Sequence, residues 1–247
     1  AGGGIIIIGG SPVISDSTVG RNSAPYGSGG GIYMVDANPI IRNSYIVDNR
    51  AGTFGGGIDS IRSKPRIINC TIAGNAADLG VGGIHNVTTS GSPVVVNSII
   101  WSNGAAAISG LSWSFITYSC VESGCWGEGD ISQNPNLCID YRLGSNSPCI
   151  DTGTSSNAPP ADIDGEPRTN QVDMGADEFR DTDSDGMGDA WELQFFGDLS
   201  HDGTADGDGD GLNDLEEYLA GTDPNTPDTD GDGLSDVDLN AELAFHI

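Results

Sequence analysis

The strongest constraint on this chain is a repeat. Gly-Gly-Ile recurs at Gly3-Gly4-Ile5, Gly30-Gly31-Ile32, Gly56-Gly57-Ile58 and Gly82-Gly83-Ile84, in steps of 27, 26 and 26 residues. Two further signals keep the same spacing. Pro12, Pro39, Pro65 and Pro93 are each followed four residues on by Asp16, Asn43, Asn69 or Asn97, and ten residues on by Asn22, Asn49, Asn75 or Asn103. A period of this length marks units that cannot bury an apolar face alone and must stack on one another.

Between the landmarks run short β-branched stretches such as Ile40-Ile41, Tyr45-Ile46-Val47, Ile67-Ile68 and Val94-Val95-Val96, bounded by Gly, Asn, Asp and Ser. They read as short strands separated by turns, with no helical periodicity. Stacking puts equivalent residues about 4.8 Å apart and generates three inward columns: Ile5, Ile32, Ile58, Ile84; Ile14, Ile41, Ile67, Val95; and Val19, Ile46, Ile72, Ile100. The small column Ser17, Ser44, Cys70, Ser98 lies beside them and makes Cys70 a buried small residue. The Asn columns belong at corners, where stacked amides bond along the axis and to turn backbone. The expected fold is all-β, a right-handed parallel β-helix with about 26 residues per coil, occupying 1–179 with its closing segment.

The pattern of Gly-Gly-Gly-Ile, then Pro-x-Ile/Val-x-Asn-Ser/Cys, then Asn resembles the right-handed β-helix repeats of large secreted bacterial surface proteins. That superfamily also includes pectate lyases and other polysaccharide-degrading enzymes. Thr117 to Glu122 resembles a last coil. The stretches Asn134-Pro135, Asp140 to Leu143, Ser147 to Gly153, Asp162 to Arg168 and Val172 to Phe179 are similar to the closing segment of those proteins. The resemblance implies the fold and an extracellular or cell-surface location.

Charge is concentrated at the other end. Of 36 acidic and 9 basic side chains, residues 1–120 hold 5 and 6, whereas residues 181–247 hold 20 acids and no Lys or Arg. Those acids are ordered into twelve-residue loops of the EF-hand kind, with oxygens at positions 1, 3, 5 and 9, a carbonyl at 7, glycine at 6 and a bidentate acid at 12. The first loop supplies Asp181, Asp183, Asp185, the Met187 carbonyl, Asp189 and Glu192. The second supplies Asp206, Asp208, Asp210, the Leu212 carbonyl, Asp214 and Glu217. The third has Asp228, Asp230, Asp232, the Leu234 carbonyl and Asp236, but Leu239 stands at position 12, so this site is either weaker or completed by an acid from elsewhere, with Asp223 and Glu242 as the nearby candidates. Hard carboxylate and carbonyl oxygens on flexible loops point to Ca2+, two or three ions, rather than Mg2+ with its tight octahedron. Short helices, 190–196 and 212–219, are expected after the first two loops, with Trp191, Leu193, Phe195, Leu215, Tyr218 and Leu219 as a thin core. The loops and the Gly221 to Asp228 stretch resemble thrombospondin type 3 repeats of bacterial extracellular proteins; dockerin modules also duplicate such loops. Residues 180–247 thus form a small calcium-loop module.

A net charge of -27 excludes a protein that holds nucleic acid through its phosphates. The longest aliphatic run, Ile5 to Ile8, is far short of the roughly 20 residues of a membrane span. A β-helix lyase or hydrolase needs a groove of acids with Arg or Lys. Arg42, Arg50, Arg62, Lys64 and Arg66 with Asp36, Asp48 and Asp59 are available parts, yet single charges on solenoid turns read as a solvated face. His85, His201 and His246 lack triad or His-Glu-x-x-His spacing, so no catalytic residue is assigned. The expected function is a secreted structural or adhesive protein. The alternative is a secreted carbohydrate-active enzyme or its non-catalytic part, with surface glycan or polysaccharide as partner. In an exported protein Cys120 with Cys125 and Cys138 with Cys149 are the local disulfide pairings. Ala1 opens directly onto a full coil without a signal segment or cap, so either the chain is a fragment or the end is covered by another subunit; the latter gives the expectation of a calcium-dependent head-to-tail homopolymer, with Leu243 to Ile247 as a piece of the contact.

Overall fold

Each repeat folds into one coil of parallel strands in the computed structural model, which describes residues 2–87, 93–122, 124, 127–168 and 171–237. Cys125, Leu239, Glu242 and the apolar 243–247 lie outside the described residues. The first coil contains β1 (Ile5–Ile8), β2 (Val13–Gly20) and β3 (Ser23–Ala24); the second β4 (Ile32–Val35), β5 (Ile40–Val47) and β6 (Arg50–Ala51). The third contains β7 (Ile58–Ile61), β8 (Arg66–Ala73) and β9 (Ala76–Ala77), and the fourth β10 (Ile84–Val87), β11 (Val94–Val96) and β12 (Ile99–Trp101). A shorter last coil follows as β13 (Ile108–Ser109), β14 (Ile116–Thr117) and β15 (Cys120–Val121). The strands stack into three parallel sheets, one of them in the order β1-β4-β7-β10-β13.

The register sets each predicted column in place and adds a fifth rung. Ile5, Ile32, Ile58, Ile84 and Ile108 pair in succession, as do Ile14, Ile41, Ile67, Val95 and Ile116, and Val19, Ile46, Ile72, Ile100 and Val121. Together they form one apolar core in which the middle coils are fully buried and Ile5, Ile14 and Ile108 partly so. The glycine pairs follow from crowding between coils: a Cβ on Gly31 would lie 2.7 Å from the carbonyl oxygen of Gly57 and 2.9 Å from the Asn49 amide nitrogen. Cys70 donates its thiol to the Ile68 carbonyl at 3.4 Å, and burial pushes that thiol up to about 12, which makes it inert.

Two Asn columns do different work. In the first, Asn22, Asn49, Asn75 and Asn103 form a continuous ladder, each Nδ2 donating to the next Oδ1 at 2.9 Å. In the second, Asp16, Asn43, Asn69 and Asn97 hold left-handed backbone, with φ of 51°, 44°, 48° and 51°, the conformation that short polar side chains tolerate best. This column does not run as an unbroken ladder. Asn43 donates to Ala161 O at 2.5 Å, Asn69 to Asp173 O at 3.1 Å and Asn97 to Thr154 O at 2.7 Å. The corner amides therefore fasten the closing segment to the coils. Arg168, buried within that segment, pairs with Glu178 at 2.7 Å and donates to Asn43 Oδ1 and the carbonyls of Gly175 and Ala176.

The described residues divide into two compact units, one of Ala1–Pro135 with Pro148–Glu178, the other of Asn136–Ser147 with Phe179–Ile247. The sequence boundary at 179/180 leaves 136–147 with the coils, whereas these residues pack within the second unit. That unit contains α1 (Asp189–Phe195) and α2 (Asp214–Ala220). Its core is Cys138, Met187, Trp191 and Tyr218, with Phe179, Phe195, Phe196 and Leu215 partly buried around them. The Tyr218 hydroxyl donates to Leu143 O at 3.0 Å. Leu193 and Leu219, expected in this core, are 53% and 51% exposed, because short helices around one Trp have room inward for a single narrow stripe. Cys138 and Cys149 are not disulfide-bonded to one another.

Candidate metal centres

The three acidic loops share one local design. The position-1 carboxylate accepts from backbone N–H groups further round its own loop: Asp181 from Ser184 and Gly186, Asp206 from Gly209, and Asp228 from Gly231, Asp232 and Gly233. The position-5 carboxylate then accepts from the residue two further on, Asp185 from Met187, Asp210 from Leu212 and Asp232 from Leu234. The intervening glycines Gly186, Gly211 and Gly233 have φ of 99°, 106° and 95°, which a side chain would strain. Each loop thereby gathers three carboxylates, Asp181, Asp183 and Asp185; Asp206, Asp208 and Asp210; Asp228, Asp230 and Asp232, with one oxygen of each within 4.8 Å of the others. Such a group can hold a metal ion.

The position-12 acids distinguish the first two loops. Glu192 and Glu217 are both 0% exposed, yet both carboxylate oxygens of Glu192, Oε2 of Glu217, Oδ2 of Asp185 and Oδ2 of Asp208 are buried without a hydrogen-bond partner. Leaving an ionised carboxylate buried and unsatisfied is strongly unfavourable. Burial, then the charges of Asp185, Asp183, Asp189 and Asp181, raise Glu192 to about 7. Burial, then Asp208, Asp210, Asp214 and Asp236, raise Glu217 to about 8. A divalent cation removes both causes. The residues present therefore fit a cation, through Asp181, Asp183, Asp185, Glu192 and the Met187 carbonyl in one loop, and Asp206, Asp208, Asp210, Glu217 and the Leu212 carbonyl in the other. In the third loop the Leu234 side chain is 49% exposed, and no buried orphan oxygen of this kind occurs among its described residues.

The position-9 acids have a different occupation. Asp189 accepts from the Thr182 N–H at 2.7 Å and the Thr182 hydroxyl at 2.5 Å. Asp236 repeats this with Thr229 at 3.0 and 2.7 Å. Asp214 bonds His201 Nδ1 at 3.1 Å instead, since the second loop has Gly207 where the others have Thr. Asp189 and Asp236 thus tie back to position 2 of their own loops, whereas Asp214 ties to His201, ahead of its loop.

A fourth acidic group, Asp162, Asp164 and Asp177, lies in the coil unit and shows the contrast. Both Asp162 oxygens are already satisfied, Oδ1 by the N–H groups of Asp164 and Glu166 and Oδ2 by that of Glu178. Of the charges considered for a catalytic groove, Arg62 holds Asp36 with two bonds of 2.8 and 2.7 Å, Arg50 holds Asp78, and buried Asp59 meets His85 at 2.7 Å beneath the stacked Phe54 ring. They link neighbouring coils. Among the described residues no helix is long and apolar enough to cross a membrane. No protein-family model matches the chain, and neither the curated proteins nor the solved structures contain a significant match.

Proposed function

We propose that this is an extracellular, calcium-binding structural protein: a β-helix joined to a module, built like thrombospondin type 3 repeats, that calcium ions fold and stiffen. The observation carrying the reading is the pair of fully buried carboxylates, Glu192 and Glu217, with unpartnered oxygens beside three aspartates each. Calcium suits them better than a softer or smaller ion because the donor set is all oxygen and the loops are glycine-rich. The ion supplies positive charge that lets distant carboxylates converge. Extracellular modules of this class bind at about 10⁻⁴ to 10⁻³ M, so the sites fill in external fluids and stay empty in the cytosol. Three charged pairs on the coils, Arg62 with Asp36, Arg50 with Asp78 and Asp59 with His85, are spent in linking coils, which favours a scaffold over an enzyme. The partner proposed is a second copy of the chain; light scattering in millimolar calcium tests it. The calcium reading is tested by calorimetry on metal-stripped full-length protein. Saturable binding of two or three ions supports it, and no binding at millimolar calcium overturns it.

A further inference from the structure

The second loop is not closed by its own residues alone. Asp210 uses Oδ1 to accept the Leu212 N–H at 2.8 Å within its loop, and Oδ2 to accept the Val237 N–H at 3.2 Å, from 27 residues further along the chain. Val237 follows Asp236, the acid that closes the third loop on Thr229 and is itself 1% exposed. A Cβ placed on Gly211, the position-6 glycine of the second loop, would touch Val237 Cγ2 at 4.0 Å. Asp236 also bears electrostatically on Asp208 and Glu217. The third loop thus reaches the second centre through one charge-assisted hydrogen bond, one apolar contact and one carboxylate.

The connection between the first and second loops is of another kind. Leu215 stands at the same place in the second loop as Val237 in the third, and its side chain likewise faces a position-6 glycine: a Cβ on Gly186 would touch Leu215 Cδ1 at 3.6 Å. Its N–H, however, donates to Gly203 O at 3.2 Å and not to an acid of the first loop. The apolar contact repeats, and the polar one is specific to the second and third loops.

We propose that the third loop braces the second ion centre, so that these two loops load calcium as a cooperative pair while the first loads independently. Val237 is a positioning residue: its N–H fixes the Asp210 carboxylate, and an ion that fixes the same carboxylate in turn pins Val237, Asp236 and the end of the third loop. Coupling of this kind is reciprocal, so whatever the second ion gains from the third loop the third loop gains from the second ion. A third loop lacking a bidentate acid at position 12 can therefore borrow order from a complete neighbour. The inference rests on the calcium reading of the loops, and the test separates the two.

The experiment is calcium calorimetry on the full chain with three substitutions. Val237→Pro removes the N–H that reaches Asp210; Val237→Ala keeps it; and Glu217→Gln identifies the second centre by weakening it. Val237→Pro is expected to weaken the second centre about tenfold, within the usual range of such couplings, and to leave the first unchanged, with Val237→Ala close to the parent. Glu217→Gln should also weaken the third site. If Val237→Pro leaves the second centre at parental affinity, or weakens all sites equally, the brace is wrong while the calcium reading stands. If the parent binds no calcium, both fall.

Discussion

Without its ion, the second unit should become less stable as pH rises, the reverse of what a well-satisfied acidic protein does. The reasoning starts from Glu192 and Glu217, raised from 4.5 to about 7 and about 8 by burial and by the aspartates around them. At 1.36 kcal/mol for each tenfold change in proton affinity, these values correspond to about 3 and about 5 kcal/mol held against the ionised, ion-free fold. Between the unfolded value of 4.5 and the folded values, the native state retains a proton that the unfolded state has released, so stability falls as pH rises through this window. Asp185 and Asp208 are also raised, burial being the first cause in each, and act in the same direction. Several kcal/mol is comparable with the whole stability of a small domain.

Metal-stripped protein should therefore resist proteolysis across residues 181–237 better at pH 5 than at pH 8.5. Added calcium should reverse the order, because the ion displaces those protons and binds more tightly as pH rises. Calorimetry in buffers of different ionisation enthalpy measures the protons released on binding at pH 7, and a clear fraction of a proton per complete site is expected. Equal protease resistance of the stripped protein at both pH values, together with no proton release, would refute the reasoning.

Other consequences can be measured on the same protein. Glu192→Gln and Glu217→Gln should each weaken one site by tenfold or more while sparing the coil unit, read by calorimetry and by limited proteolysis. Asn75→Ala should cost about 3 to 5 kcal/mol in urea unfolding, because its side chain serves Ile46 O, Ala73 O, Asn103 Oδ1 and the Asn49 N–H and Nδ2 and each buried group left unpaired costs about 1 to 3 kcal/mol. Asn22→Ala, at the end of the ladder, should cost about 1 kcal/mol, and equal effects at the two positions would argue against a cooperative ladder. Arg168→Met alone should destabilise the coil unit by about 3 to 5 kcal/mol, whereas Arg168→Met with Glu178→Leu should recover part of the loss, since the unpaired buried charge is the main penalty.

The coil unit was legible because its physics repeats. A column such as Ile41, Ile67 and Val95 is read four times over, and each copy checks the register of the others. The acidic loops were legible for the same reason, with glycine at position 6 forced by backbone and acids at fixed offsets. What was not legible arises where the chain is used once. Nothing in the spacing of Cys138 or Leu143 announces that 136–147 packs with Trp191 and Tyr218, and nothing periodic says that Leu193 faces solvent. The second Asn column was read as a ladder like the first, and two of its rungs form, Asn43 to Asp16 and Asn97 to Asn69, but its amides also donate to Ala161, Asp173 and Thr154, partners more than 50 residues away that no spacing announces. The position-9 acids illustrate another limit: a motif fixes which residue is acidic, but whether its oxygens face an ion or Thr182 is settled by the rest of the turn.

Both units face one physical problem and answer it in two ways. A chain with 38 glycines and 6% aromatic residues has little apolar area with which to offset the entropy of ordering its backbone. Its many corners also adopt left-handed conformations that leave N–H and C=O groups outside any strand or helix. In the coils the answer is internal: the corner amides of the Asn22 to Asn103 ladder satisfy the neighbouring coil and those of the other column hold the closing segment, so stability accumulates rung by rung and needs no ligand. The second unit does not stack such amides. Its corners are loops whose carboxylates accept the local N–H groups, and gathering those carboxylates creates a repulsion that protons relieve at low pH and a cation relieves at neutral pH. One unit is thus stable by repetition and the other, on the reading proposed above, by occupancy. Raising external calcium should accordingly change the second unit's protease resistance while leaving the urea midpoint of the coils unmoved; a coil midpoint that tracks calcium would show that the two are energetically one.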